Sequence, residues 1–226
     1  MSVLTAVAYS PDGPTPRPYR KKHWRIATRP LISRAVATYQ AQLELEAREM
    51  VRDLLIDGEA GSQPVDPCPY MSRSSLNHIL MLVYGFRTES LDDPIVAESL
   101  RISREFMCVL PPDSQLVVCL TERGRNTTSP VSNLVDFFPL LQMLPTAMAR
   151  RGRQLNKDIL ALSRPLVADI EARLRRGEPV PDCLAKTLIL TRTEEELDEL
   201  DILIMCGAFL IGGVETVSSS LHTCVM

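Results

Sequence analysis

Apolar residues recur at helical spacing along most of this chain, and one run departs from that rule by being apolar all round. From Ile202 to Val214 hardly a polar side chain interrupts the sequence, which predicts the centre of a long buried helix over 193–221. Thr193 with Glu196 three residues later reads as a capping box. Glu194 and Glu195 add negative charge where first-turn amides and the helix dipole favour it. The apolar run is shorter than the ~20 residues of a membrane span, so burial in a protein core accounts for it.

Upstream, Tyr39, Leu43, Ala47, Met50 and Leu54 fall at steps of three or four within 35–57. They predict an amphipathic helix with that stripe on the core, a Glu44–Arg48 pair on its surface and Gly58 as its stop. Residues 70–84 predict a second helix with Leu76, Ile79, Leu80 and Val83 inward, ended by Gly85. Asp93 and Pro94 suit the cap and first residue of a helix reaching about Phe106. Over 146–176, Leu155, Ile159, Leu162, Leu166, Ile170 and Leu174 point inward, with a break expected at Pro165. A loop over 177–184 leads to a short helical piece before Thr193. The basic stretch 21–34 begins helical and is interrupted by Pro30, 58–69 is a loop, and the proline-rich residues 1–20 are irregular. The expected fold is all-α, one helical domain over 21–226 behind an irregular lead-in.

Gly212 and Gly213 stand side by side in the long helix, each at a cost of ~1 kcal/mol relative to Ala. An acid and an alcohol follow, Glu215 and Thr216. One account is a close helix crossing with Glu215 solvated. The other is a flat ligand against the bare backbone, with the acid and alcohol relaying protons to it. In either case a threonine hydroxyl can bond back to a carbonyl and bend the helix.

Composition narrows the choice little. The chain has 226 residues, 45% hydrophobic and 23% charged, with a net charge of -3, so it can bury a sizeable core and shows no basic domain for nucleic acid. The cysteines at 68, 108, 119, 183, 206 and 224 form no CxxC pair, and no secretory signal opens the chain, so reduced thiols in an intracellular compartment are expected. His23, His78 and His222 stand apart, without metal-ligand spacing. Arg150, Arg151, Arg153 and Lys157 make a basic face, read as solvated surface with contact to a membrane surface as the alternative.

Gly212-Gly213-Val214-Glu215-Thr216 resembles the [AG]-G-x-[DE]-T motif of the long helix I of cytochrome P450, the heme-thiolate monooxygenases. Tyr84-Gly85-Phe86-Arg87, followed by Ser90-Leu91-Asp92-Asp93-Pro94, resembles the connection between helices E and F in fungal members. The resemblance covers roughly 21–107 and 131–226, about helices C to I, and implies a partial P450-like helical fold. It implies that Glu215 and Thr216 organise water and deliver protons, and that Gly212 and Gly213 line the oxygen pocket over the heme. It also implies an apolar small-molecule substrate, a P450 reductase as electron donor, and an endoplasmic-reticulum membrane location through an N-terminal anchor absent from this sequence. The family's W-x-x-x-R element, which holds a heme propionate, is matched only in part. Trp24 is present, Thr28 stands four residues on and Arg29 one later, so Trp24, Arg25 and Arg29 are the candidates.

The sequence departs from the family at three places. Residues 108–130 break the pattern of their flanks and are read as an insertion. The heme-cysteine loop F-x-x-G-x-R-x-C-x-G surrounds none of the cysteines, and the E-x-x-R element expected after helix I does not occur there. The expectation is a piece of a monooxygenase that does not activate oxygen alone. The rival readings are a non-catalytic helical binding module and a product that does not fold stably.

Overall fold

The computed structural model describes residues 9–10, 13–14, 25, 26, 28, 39–109 and 147–225. A two-residue antiparallel ladder, β1 (Tyr9–Ser10) with β2 (Gly13–Pro14), lies in the lead-in. The other elements among the described residues are helices, α1 (Gln40–Asp57), α2 (Cys68–Tyr84), α3 (Pro94–Val109), α4 (Ala147–Arg175), α5 (Leu184–Leu190) and α6 (Glu199–Val225), with a 3₁₀ turn at Glu59–Gly61. The fold is all-α. The segment read as an insertion lies outside the described residues beyond the last turn of α3, as does the stretch from 131 to the start of α4.

Helix α6 is the axis of the molecule, with α2, α3, α4 and α5 packed around it. Ile202, Leu203, Met205, Cys206, Leu210 and Val214 of α6 join Leu76, Leu80 and Val83 of α2, Val167 and Ile170 of α4, and Leu184 and Leu188 of α5 in the main core. A second cluster joins Ile102 and Phe106 of α3, Leu155 and Ile159 of α4, and Ala208 and Ile211 of α6. The span Glu199–Cys224 is apolar enough to cross a membrane, at a mean hydropathy of 1.9, but 56% of its apolar window is buried against these helices. One such helix is weak evidence for a membrane span, because a core helix has the same composition.

Boundaries follow the local chemistry. Gly85 ends α2 in the left-handed conformation, φ 75°, with its N–H on the carbonyls of Leu80 and Met81. Asp93 caps α3, its Oδ1 accepting from the Ile95 N–H at 2.8 Å, and Pro94 follows as the first helical residue. Two expectations are not fully met. Helix α4 runs through Pro165 without ending. Pro165 and Ala161, whose carbonyl loses its partner, are both exposed, so water can satisfy that carbonyl while the helix continues to Val167 and Ile170 in the core.

Helix α1 meets its expected face only in part, since Tyr39, Met50 and Leu54 are half-buried. Leu43 is 44% exposed, Ala47 is exposed, and the residue fully buried on α1 is Glu46. The reason lies on α2, whose side toward α1 is polar. Asn77 donates from Nδ2 to Glu46 Oε2 at 3.0 Å and to the Thr88 carbonyl at 2.9 Å, and Arg87 pairs with Glu46 at 2.6 Å. Arg73 pairs with Asp53, and the Tyr70 hydroxyl donates to Asp57. Buried charge is tolerated only when partnered, and here Glu46 and Asp53 turn inward while Leu43 stays exposed.

His78 sits in the same region, half-buried, and burial is the main cause that pulls its pKa below the ordinary histidine value, against the smaller upward pulls of Glu46 and the Leu43 backbone. The unfolded chain therefore takes up this proton first as pH falls. Stability from this residue is complete above about pH 6.5, the unfolded value, and falls as pH drops through the lowered folded value. His78→Leu is expected to flatten the decline in urea midpoint between about pH 7 and 5. An unchanged decline would assign it to other groups.

Candidate functional site

The site is the stretch of α6 from Gly212 to Ser220. Its helix begins later than the sequence pattern suggests. Residues 191–196 form turns, and Glu196 takes a positive φ of 45°, which breaks any helix passing through it. The working capping pair is Asp198 with Asp201. The Asp201 N–H donates to Asp198 Oδ1 at 2.7 Å, and the Asp198 N–H donates to Asp201 Oδ2 at 3.0 Å.

The two glycines face different ways. A Cβ on Gly213 would overlap Ile79 of α2, with Cγ1 at 2.6 Å, so this glycine lets two helices cross closely. Gly207, further back on α6, does the same for Ile159 of α4. Gly213 is thus a packing residue and not a lining of the open face. Gly213→Val is expected to destabilise the protein by about 2 kcal/mol through overpacking, and Ile79→Ala in the same chain to recover part of it. Additive losses from the two changes would contradict this crossing.

Gly212 and Thr216, four residues apart, share the other side of α6. Thr216 is exposed, and its hydroxyl donates to the Gly212 carbonyl at 2.7 Å, with a longer contact of 3.5 Å to the Gly213 carbonyl. Because its proton is committed to the backbone, its oxygen lone pairs remain to accept from water or a ligand. Val217, 40% exposed, and Ser220 continue this open side, and half-buried Glu215 borders it.

Arg25, a further candidate, is not gathered here. Arg25 pairs with the buried carboxylate of Glu195 at 2.8 Å, at the N-terminal end of α6. At about 1.5 Å of rise per residue, Glu199 and Thr216 are roughly 25 Å apart, so this position of Arg25 is far from the Gly212–Thr216 turn. Trp24 and Arg29 lie outside the described residues. Cys183 and Cys206 are buried, and burial pushes both thiols up, Cys206 strongly. Among the described residues no group of His, Cys, Asp or Glu is placed to hold a metal ion. Among the described residues, the part of α6 that could face a flat ligand is the exposed side that carries the Thr216 oxygen, one turn beyond Gly212.

Ser72, Ser75 and Ile79 of α2, at i, i+3 and i+7, back this stretch from the opposite side; the sequence pattern placed Ile79 inward but not the two serines. Ser75, fully buried, donates to the Val214 carbonyl at 2.8 Å, and Ser72 shares a hydrogen bond of 3.0 Å with Ser218. The available signal was the periodicity, since 72 and 75 extend the stripe of Ile79 toward the helix start.

Comparison with known proteins bears on this geometry. The family profile described as Cytochrome P450 matches residues 14–226. Similar curated proteins include the 3-hydroxyphenylacetate 6-hydroxylase of Emericella nidulans, 24% identical over 220 residues, covering 95% of this chain and 37% of that protein. The phenylacetate 2-hydroxylase of the same organism is 26% identical over 203 residues, covering 89% and 35%. Cytochrome P450 monooxygenase fogE of Aspergillus ruber (strain CBS 135680) is 26% identical over 200 residues, covering 87% and 33%. The chain spans about a third of the length of these relatives.

Proposed function

The chain belongs to the cytochrome P450 family, and from that premise we propose that it forms the oxygen-side wall and substrate roof of a heme-dependent monooxygenase acting on an apolar organic substrate. The observation that carries this reading is the Gly212–Thr216 turn, with the threonine proton held by the Gly212 carbonyl at 2.7 Å and its oxygen turned to an open helix side. Heme, when bound, supplies the chemistry that activates dioxygen with electrons from a reductase. The residues of this chain supply shape and protons. Gly212 leaves the backbone bare for a flat ligand. Thr216 accepts a hydrogen bond from a water on that side, and the neighbouring Glu215 carboxylate exchanges protons with solvent and passes them to that water.

Two relatives are named as hydroxylases of aromatic acetates, at 24% and 26% identity, and this makes ring hydroxylation the reaction to try first. A reductase partner and attachment to the endoplasmic-reticulum membrane belong to the same proposal. The test is to express the open reading frame as its source transcript carries it, with whatever precedes and follows these residues, and to titrate it with heme. Stoichiometric binding with a thiolate-type carbonyl spectrum supports the proposal. Loss of both, in a protein that resists protease, would favour a non-catalytic helical binding module instead.

A further inference from the structure

The carbonyls of α6 at the motif receive extra donors from two opposite sides. On the open side Thr216 reaches back to Gly212 at 2.7 Å. On the packed side Ser75 of α2 reaches in, to the Val214 carbonyl at 2.8 Å and the Gly213 carbonyl at 3.4 Å. In a regular helix each of these carbonyls already accepts one N–H from four residues ahead. Ser75 therefore adds a second donor to acceptors that close the turn containing Thr216, and ties that turn to α2.

The placement of Ser75 sets it apart from ordinary core hydroxyls. It is fully buried, so its bond to α6 is not exchanged with water. Ile79 fills the space left by Gly213 one turn along α2, and Ser72 bonds Ser218 one turn the other way. A seam of three α2 residues thus grips α6 behind Gly213, Val214 and Ser218, while the front of the same turns carries Thr216. The orphaned hydroxyls of Ser99 and Ser103 on α3, also buried, make no such bond and offer no comparable lever.

We infer that Ser75 is a positioning residue for the Glu215–Thr216 pair, holding from behind the helix the turn that sets where the Thr216 oxygen stands. The inference rests on the proposed role of that pair, and its test separates the two. In the full-length protein, Ser75→Ala is expected to raise amide exchange in a peptide covering 214–220 roughly three- to tenfold, the factor that follows from losing one buried hydrogen bond. Exchange in 200–208 of the same helix stays at the wild-type rate. Ser75→Cys, a weaker donor at the same place, gives an intermediate rise. In the heme-loaded enzyme Ser75→Ala lowers the product formed per electron delivered, with the missing electrons recovered as peroxide, and leaves substrate affinity unchanged.

Uniform faster exchange along α6, or unchanged exchange at 214–220, would overturn the inference, because Ser75 would then be ordinary core. A fall in product with an unchanged ratio of product to electrons would overturn it as well. If wild type binds no heme while the exchange pattern holds, the grip stands and the proposed function fails.

Discussion

Asp53→Ala is expected to remove about 3–5 kcal/mol of stability, the range for stripping one partner from a buried charge pair. Arg73 is 4% exposed, and its guanidinium is held by Asp53 and, through Nη1, by the Glu89 carbonyl at 2.9 Å. Without Asp53 the charge stays inside with a single neutral acceptor, whereas the carboxylate itself lies nearer the surface and would be missed little. The double variant Asp53→Leu with Arg73→Met should lie within about 2 kcal/mol of wild type, because replacing both partners removes the desolvation penalty together with the attraction. Urea unfolding of the full-length protein at neutral pH measures both, with the slope unchanged if only stability moves. A loss below about 1 kcal/mol for Asp53→Ala would mean that Arg73 reaches water and that the polar α1–α2 seam is not closed.

Thr216→Ala is expected to lower the rate of product formation on the order of 10²-fold, the lower end for a lost proton-handling group. Stability should change by no more than about 0.5 kcal/mol, because the side chain is exposed and packs on nothing in the core. Thr216→Ser keeps a hydroxyl within reach of the Gly212 carbonyl and should retain most of the rate. Turnover with a reductase, compared with the urea midpoint, separates the two effects. An equal loss in the Ser variant would point to the methyl group and to shape rather than to proton handling.

The parts of this fold that could be read from sequence were those fixed by short-range chemistry. Asp93 and Pro94 start α3, Gly85 ends α2 with a left-handed residue, and the leucine period of α4 points into the core, all as the pattern predicts. What could not be read depended on partners distant in sequence. Helix α1 carries an apolar stripe, yet Glu46 and Asp53 turn inward to Arg73, Asn77 and Arg87 while Leu43 stays exposed. The capping box read at Thr193–Glu196 does not form, and Asp198–Asp201 caps α6 instead, with Glu195 buried against Arg25 and Glu196 left-handed. At the motif, sequence placed Gly212, Glu215 and Thr216 on one turn, but periodicity alone could not say which glycine faced a neighbouring helix. In the structure Ile79 of α2 packs against Gly213.

The role of α6 can be tested without waiting for a substrate, by hydrogen exchange of the full-length protein with and without heme. Bound heme should slow exchange in the peptide covering 212–220, which carries the open side of Gly212 and Thr216, and leave the α1–α2 seam at 46–77 unchanged. Protection absent from 212–220, in a protein that demonstrably binds heme, would contradict the assignment of this turn as the wall of the pocket.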